Sequence, residues 1–214
     1  TPVTNWNGKV PVVTYVTNTG SSTTLDIVVT PENDTPSVSE DKAVTPEDTQ
    51  IIIDVLANDK DVDGDKLTVS EIDGQPVKHG GIVTVPVDHG TATLNPDGTI
   101  TFTPEKDYNG PVKFTYTATD GQIPVTANVN VDVTPVNDDP VAADDSVTTP
   151  EDQPVTIQVL NNDTDIDGDN LTVTEIGGQP VKSGDTVTVP NGTATLNPDG
   201  TITFTPNPGY EGPA

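Results

Sequence analysis

The chain has 214 residues and carries 34 Asp and Glu side chains against 8 Lys and Arg, a formal net charge of −26. So acidic a sequence excludes nucleic acid and anionic membrane surfaces as partners, because both bind through basic patches. It contains no cysteine, which excludes disulfides and thiolate metal sites, and no run of about 18 apolar residues that could insert into a membrane. With 31% hydrophobic and 4% aromatic residues, composition alone borders on disorder, and the patterning along the chain argues for a fold.

Apolar and polar residues alternate along most of the chain, which is typical of half-buried β-strands. The alternation is seen at 51–55, 67–69, 92–94, 100–102, 114–118 and, over nine residues, at 125–133. Turn-forming clusters such as Asn95-Pro96-Asp97-Gly98 separate these segments, and no segment shows helical periodicity over three turns. The sequence therefore predicts an all-β fold, a Greek-key β-sandwich of the immunoglobulin or cadherin type.

A repeat of about 100 residues, an ordinary domain size, organises these strands. Pro-Glu-Asp at 46–48 recurs at 150–152, and the segment 90–104 recurs at 192–206. The sequence begins in the middle of this pattern, so we expect it to be part of a longer protein. The repeat predicts three segments: the C-terminal part of a preceding unit in residues 1–34, a complete unit in residues 35–138, and the N-terminal part of a following unit in residues 139–214.

Two acidic loops occupy equivalent positions of the repeat, Asn58–Asp65 and Asn162–Asp169. Each places four Asp at alternate positions with one Gly, so that the carboxylate oxygens converge. Calcium requires such a set, because it takes six to eight oxygen ligands. A solvated acidic turn is the alternative for one such loop, but two loops in register favour calcium. Ser70 and Thr174 stand where an EF-hand has its twelfth-position Glu, so these are not EF-hands.

Linkers of the form Thr-Pro-x-Asn-Asp-x-Pro lie between the units, at 30–36 and 134–140. Together with the Pro-Glu-Asp motif, the acidic loops and the segment Gly-Thr-Ala-Thr-Leu-Asn-Pro-Asp-Gly, they resemble the cadherin-like or Ig-like tandem repeats in the extender regions of large RTX-type bacterial surface adhesins. The resemblance implies interdomain Ca²⁺ ions that stiffen an extended stalk. It also implies secretion to the outer surface of a Gram-negative cell.

The resemblance also implies which residues bind calcium. The implied ligands are Asn33, Asp34, Glu47, Asp61, Asp63, Asp65, Asn137, Asp138, Glu151, Asp165, Asp167 and Asp169, with Asp59 and Asp163 as further candidates. Because the strands of a sandwich run from pole to pole, we also expect Asp107 and Asp120 of the preceding unit to reach the same junction from the other side. The first partial unit departs from the pattern, because it has Thr19 where Asp120 stands later and Thr4 or Asn5 where Asp107 stands. We therefore expect fewer or weaker ions at the first linker.

Three functions compete. A structural extender is favoured, because an active site is rarely duplicated along a series of near-identical units. The alternative is a calcium-dependent carbohydrate-binding module, which stacked aromatics beside the ion would support; Trp6, Tyr108 and Tyr210 share one repeat position and are predicted to be core or corner residues instead. No enzymatic activity is expected, since no carboxyl group sits in the apolar setting that acid catalysis needs.

Each partial unit should leave apolar faces and strand edges uncovered. Besides contacts between neighbouring repeats, we therefore expect strand complementation between chains, in which residues 1–34 of one molecule complete residues 139–214 of another, head to tail. The alternative is that both partial units are frayed.

Overall fold

A computed structural model describes residues 3–78 and 80–213. These residues form strands and turns and no α-helix, which confirms the all-β fold class. Within the described part of the chain, no helix is long and apolar enough to span a membrane. The chain divides into two compact units, Thr1–Val136 and Asn137–Ala214.

The first unit begins with a hairpin of four short strands: β1 (Gly8–Lys9), β2 (Val13–Val16), β3 (Ser22–Leu25) and β4 (Val28–Val29). Strand β1 pairs with β4 and β2 pairs with β3, both antiparallel. The first arm is interrupted around Pro11, which has no N–H to donate to a ladder. Large apolar side chains of the hairpin are exposed, among them Tyr15 at 50% and Leu25 at 47%.

Nine further strands form a β-sandwich in the same unit. They are β5 (Asp41–Pro46), β6 (Ile51–Ile53), β7 (Thr68–Ile72), β8 (Gln75–Pro76), β9 (Val83–Val87), β10 (Gly90–Leu94), β11 (Ile100–Pro104), β12 (Gly110–Thr119) and β13 (Pro124–Thr134). One sheet has the order β6-β11-β10-β9 and the other the order β5-β13-β12-β7-β8. All pairings are antiparallel except that of β5 with β13.

The core lies between these two sheets and follows the predicted alternation. Phe114 and Tyr116 on β12 and Val129 and Val131 on β13 are at most 2% exposed, and Phe102 on β11 is fully buried. Most of their neighbours along each strand are more exposed, as the period of two requires, although Thr117 is only 5% exposed. Two aromatic rings of this core, Phe102 and Phe114, stack with centroids 5.9 Å apart.

Six strands form the second unit: β14 (Val155–Ile157), β15 (Glu175–Ile176), β16 (Gln179–Pro180), β17 (Thr186–Val189), β18 (Gly192–Leu196) and β19 (Ile202–Pro206). The order β14-β19-β18-β17 repeats that of the four-stranded sheet in the first unit. Among the described residues of this unit, the opposing sheet is represented only by the pair β15 and β16. The buried core is correspondingly small and consists of Val181, Val187, Ala194 and Leu196.

Candidate metal centre

The acidic loop of the complete repeat folds around the Asp61 side chain. Asp61 Oδ1 accepts hydrogen bonds from the backbone N–H groups of Asp63, at 2.8 Å, and Asp65, at 3.3 Å. Gly64 turns the loop with φ = +83°, a conformation that side chains disfavour. The other oxygen, Asp61 Oδ2, is buried and accepts no hydrogen bond from the described residues. A buried carboxylate oxygen without a partner is costly, and a bound cation would satisfy it.

The first linker is hydrogen-bonded to this loop. The Asp34 N–H donates to Asp63 Oδ2 at 2.7 Å, and Asn33 Nδ2 donates to Asp120 Oδ2 at 2.8 Å. Asn33 Oδ1 in turn accepts a hydrogen bond from Gln122 Nε2 at 2.7 Å. The structure therefore brings together the predicted linker, loop and Asp120, all within the first unit.

Asp120 is held in its ionised form by these contacts. The hydrogen bond from Asn33 lowers the pKa of the Asp120 carboxyl, and the backbone N–H groups of Ile123 and Gln122 lower it further. An ionised carboxylate at the end of β12 is a ready oxygen donor for a hard cation.

The second unit reproduces the loop and linker geometry. Asp165 Oδ1 accepts hydrogen bonds from the N–H groups of Asp167, at 3.0 Å, and Asp169, at 3.2 Å. The Asp138 N–H donates to Asp167 Oδ2 at 2.7 Å, as Asp34 does to Asp63. Asp138 and Asp167 each offer a carboxylate oxygen within 4.8 Å of the other. Asn137 Nδ2 donates to the Asp138 carbonyl at 2.9 Å.

Glu47 and Glu151 share one repeat position and have different surroundings. Glu47 is 3% exposed, and its Oε1 accepts a hydrogen bond from the Val136 N–H at 2.5 Å. The Glu47 N–H donates to the Thr134 carbonyl just beyond β13. Glu151 is exposed, because the described residues of its unit include no strand at the position of β13.

Asp48 is a candidate ligand that the sequence reasoning missed. Asp48 Oδ1 accepts a hydrogen bond from the Asp107 N–H at 3.1 Å, and the two side chains offer carboxylate oxygens within 4.8 Å of each other. Lys106 Nζ contacts both carboxylate oxygens of Asp107, at 2.7 and 2.6 Å. The recurrence of the Asp in both copies of Pro-Glu-Asp could have indicated this position. In the second unit the equivalent Asp152 Oδ1 accepts a hydrogen bond from the Gly209 N–H at 2.8 Å.

Asp59 has the contacts of a structural acceptor. Its Oδ1 accepts a hydrogen bond from the Ser39 N–H at 2.9 Å, and its Oδ2 accepts one from the Tyr116 hydroxyl at 2.8 Å. Burial, followed by the bond to Asp59, raises the pKa of Tyr116, so the phenol remains a donor. The counterpart Asp163 accepts from the Ala143 N–H at 2.8 Å. Both bonds join the acidic loop to the chain after the linker, and calcium ligation by Asp59 and Asp163 stays a prediction.

Of the three aromatic residues at the shared repeat position, Tyr108 and Tyr210 have structural contacts, whereas Trp6 is 41% exposed. The Tyr108 ring packs against the core and stacks on His89 with centroids 3.9 Å apart. Its hydroxyl donates to the Pro111 carbonyl at 3.0 Å, and Tyr210 makes the equivalent bond to Pro213. These are contacts of corner residues, as the sequence predicted.

The donors assembled in each unit are carboxylate, amide and backbone oxygens. Such a set of oxygen donors selects hard divalent cations. The number of donors and their loose spacing suit calcium better than magnesium, because magnesium demands near-octahedral geometry and retains bound water. Carboxylates at this spacing repel one another when no cation lies between them.

Comparison with known proteins gives two family matches that divide the chain. Residues 33–135 match the bacterial cadherin-like domain, and residues 137–214 match the bacterial Ig domain. No curated protein sequence matches the chain.

Two solved structures that resemble the chain are distantly similar to it. An endo-fucoidan hydrolase of glycoside hydrolase family 107 is 16% identical, with a TM-score of 0.35 over 95% of this chain and 30% of its own. Domains 4–9 of the surface layer protein SbsC are 16% identical, with a TM-score of 0.29 over 90% of this chain and 30% of theirs. The chain thus spans about a third of the length of these proteins, and such similarity carries no functional argument.

Proposed function

Because the chain belongs to the bacterial cadherin-like and Ig-like repeats, we propose that it is part of the stalk of a calcium-dependent bacterial surface adhesin. Domains of these families are typically structural modules of extracellular surface proteins rather than enzymes. In this proposal the repeats are spacers outside the cell, and they hold a distal ligand-binding region away from the cell surface.

The observation that supports calcium most strongly is the Asp61 carboxylate. One of its oxygens organises the loop by accepting two backbone hydrogen bonds, and the other is buried without a partner. The linker residue Asp34 is hydrogen-bonded to the same loop through Asp63. A cation bound here would be held by residues from a linker and from the unit that follows it.

The mechanical role follows from charge. The whole chain carries a net charge of −26, so acidic side chains near a linker push the chain segments apart unless a cation neutralises them. When bound, calcium supplies two positive charges and a preference for several oxygens at once. The residues then do the positioning: Asp34 binds the loop, Asn33 binds Asp120, and the flanking prolines restrict the linker.

The affinity that this role requires is modest. Extracellular calcium-binding modules have dissociation constants of about 10⁻⁴–10⁻³ M, matched to millimolar calcium outside cells. Sites of that strength would be filled on the cell surface and emptied by a chelator.

Calcium titration of the full chain by calorimetry tests the proposal. Asp61→Asn keeps an oxygen for the loop hydrogen bonds and removes the buried negative charge, so we expect binding at that loop to weaken about tenfold or more, or about 1.4 kcal/mol. Asp165→Asn should do the same at the second loop. The matched control is Asp73→Asn, an exposed turn residue with φ = +48° outside the acidic loops. Equal isotherms for all four proteins, or no binding by the unsubstituted chain, would refute the proposal.

A further inference from the structure

In the complete unit, a short clamp joins the start of the acidic loop to the chain just after the linker. Ser37 and Lys60 form an isolated β-bridge, in which the Ser37 N–H donates to the Lys60 carbonyl at 2.8 Å and the Lys60 N–H donates to the Ser37 carbonyl at 2.9 Å. Beside this bridge, the Ser39 N–H donates to Asp59 Oδ1 at 2.9 Å. The clamp consists of residues 37–39 and 59–60.

The second unit has the same clamp, made from different residues. Val141 and Thr164 form the equivalent β-bridge, with N–H to carbonyl distances of 2.7 and 3.0 Å, and the Ala143 N–H donates to Asp163 Oδ1 at 2.8 Å. Of the four positions, only that of Asp163 has the same residue in both units. The carboxylate is therefore the one side chain that this clamp uses.

In the complete unit, the core reaches the clamp through a single hydroxyl group. Tyr116 on β12 is fully buried, and its hydroxyl donates to Asp59 Oδ2 at 2.8 Å. The same hydroxyl lies 3.2 Å from the Ser39 carbonyl, a second acceptor on the other side of the clamp. A phenylalanine would fill the same place in the core without this contact. The hydroxyl of Tyr116 thus links the packed core to the acidic loop.

The clamp fixes where the acidic loop lies relative to the linker. Asp59 is two residues before Asp61, whose Oδ1 organises the loop and whose Oδ2 is buried and accepts no hydrogen bond from the described residues. Beyond the clamp, Asp63 Oδ2 accepts the hydrogen bond from the Asp34 N–H. Linker and loop are therefore joined twice, once by the clamp and once by this bond, and Asp61 lies between the two.

We propose that the Tyr116 hydroxyl is a positioning group for the calcium centre of the complete unit. It holds Asp59, and through Asp59 it holds Asp61 and the linker in place before the cation binds. The inference rests on the proposed function, because it concerns the affinity of the same centre. It gives Asp59 a positioning role instead of a place among the calcium ligands, since each of its oxygens already accepts a hydrogen bond.

Preorganisation of this kind raises affinity, because a loop that is already ordered loses less conformational entropy when the cation binds. Groups that orient metal ligands without binding the metal typically contribute about 10–100-fold in affinity. Tyr116 acts through one further residue, so loss of its hydroxyl should weaken binding by about threefold to tenfold.

Calcium titration of the full chain, followed by two-dimensional NMR, tests the proposal. The amide signals of Gly64 and Gly168 report the two acidic loops separately. Tyr116→Phe should raise the dissociation constant reported by Gly64 about threefold to tenfold and leave that reported by Gly168 unchanged. The matched control is Tyr108→Phe, which removes another tyrosine hydroxyl of the same unit, one that donates to the Pro111 carbonyl at 3.0 Å. It should change neither constant.

Substitution of Asp59 distinguishes positioning from direct ligation. Asp59→Asn keeps an oxygen for the Ser39 N–H, but its amide nitrogen cannot accept the hydrogen bond from Tyr116. Adding Tyr116→Phe to Asp59→Asn should therefore weaken binding at Gly64 no further than Asp59→Asn alone. If Asp59 bound calcium directly, Tyr116→Phe would free one of its oxygens and leave affinity unchanged or increase it. Either of these results, or additive effects of the two substitutions, would overturn the proposal.

Melting of the same variants separates positioning from a purely structural role. A role confined to folding would lower the melting temperature of Tyr116→Phe equally in calcium and in excess chelator. With an unchanged constant at Gly64, that result would also overturn the proposal. If the unsubstituted chain showed no calcium response at Gly64 or Gly168, both this inference and the stalk proposal would be refuted. Normal titration of both glycines in Tyr116→Phe would refute only the positioning role.

Discussion

Asp41, Asp59 and Asp61 lie within 21 residues of one another and have three different environments. Asp61 presents to the predicted metal centre a buried oxygen that accepts no hydrogen bond from the described residues, whereas each oxygen of Asp59 accepts one, from Ser39 and from Tyr116. Asp41 is 8% exposed at the start of β5, and its Oδ2 is also buried and accepts no hydrogen bond from the part of the chain that the structure describes. Residue type alone would assign the same role to all three side chains, whereas their burial and their hydrogen-bond partners distinguish them.

Asp41 should make the complete unit sensitive to pH. Burial raises the pKa of its carboxyl from 3.8 to about 6, with the nearby Asp59 charge adding to the shift. The folded state therefore binds the proton of this carboxyl more tightly than the unfolded state does. The resulting contribution to the free energy of unfolding is fully present below about pH 4 and is lost as the pH rises through about 6. At neutral pH, Asp41→Asn should raise the free energy of unfolding by up to about 3 kcal/mol and therefore raise the melting temperature. At about pH 4 the substitution should leave the melting temperature unchanged.

The control for Asp41 is supplied by the repeat. Asp145 occupies the equivalent position in the second unit and is exposed, so Asp145→Asn should shift melting little at either pH. Thermal unfolding followed by circular dichroism from pH 4 to 8 makes the comparison. Parallel curves for Asp41→Asn and the unsubstituted chain at every pH would show that the carboxyl titrates normally in the folded state.

At the scale of elements, the two units show that a similar local sequence forms a strand only where a neighbouring strand is present to pair with it. The sheets β6-β11-β10-β9 and β14-β19-β18-β17 form in both units, because each contains its own neighbouring strands. Strand β5 forms only in the first unit, where β13 is present to pair with it. A core of two layers is therefore complete in one unit and open in the other.

A matched pair of substitutions measures this difference. Phe102→Ala should cost about 3–5 kcal/mol, because the ring is fully buried and a cavity remains. Phe204→Ala should cost clearly less, because its equivalent ring is half-buried beside an open groove and the site can collapse. Hydrogen exchange of β10 and β18 reports the two units separately. Equal losses of protection in the two variants would contradict the open core.

The sequence predicted the elements better than their contacts. Alternation from Val125 to Val133 lies within β13, and Asn95 and Gly98 close the predicted tight turn through the bond from the Gly98 N–H to the Asn95 carbonyl. These are local patterns, set by the period of a strand and by turn chemistry. Neither the capture of Asp59 by Tyr116 nor the burial of Glu47 could be predicted, since each depends on a residue more than 50 positions away.

At the scale of the whole molecule, net charge opposes a compact, ordered series of repeats. The charge of −26 is concentrated in part in the two acidic loops and the linkers that are hydrogen-bonded to them. A protein with few aromatic residues has limited apolar area to offset that repulsion. In the proposed function, cation binding supplies added stability through mass action on the folded state.

The most direct measurement is thermal unfolding of the full chain in about 10 mM calcium and in excess chelator, with small-angle scattering under the same conditions. With dissociation constants of about 10⁻⁴–10⁻³ M, calcium should add about 1–3 kcal/mol per site. Melting should therefore rise by at least several degrees, and the scattering should report less flexible linkers. Identical melting and scattering in the two solutions would show that the acidic loops are plain turns and would contradict the calcium-stiffened stalk.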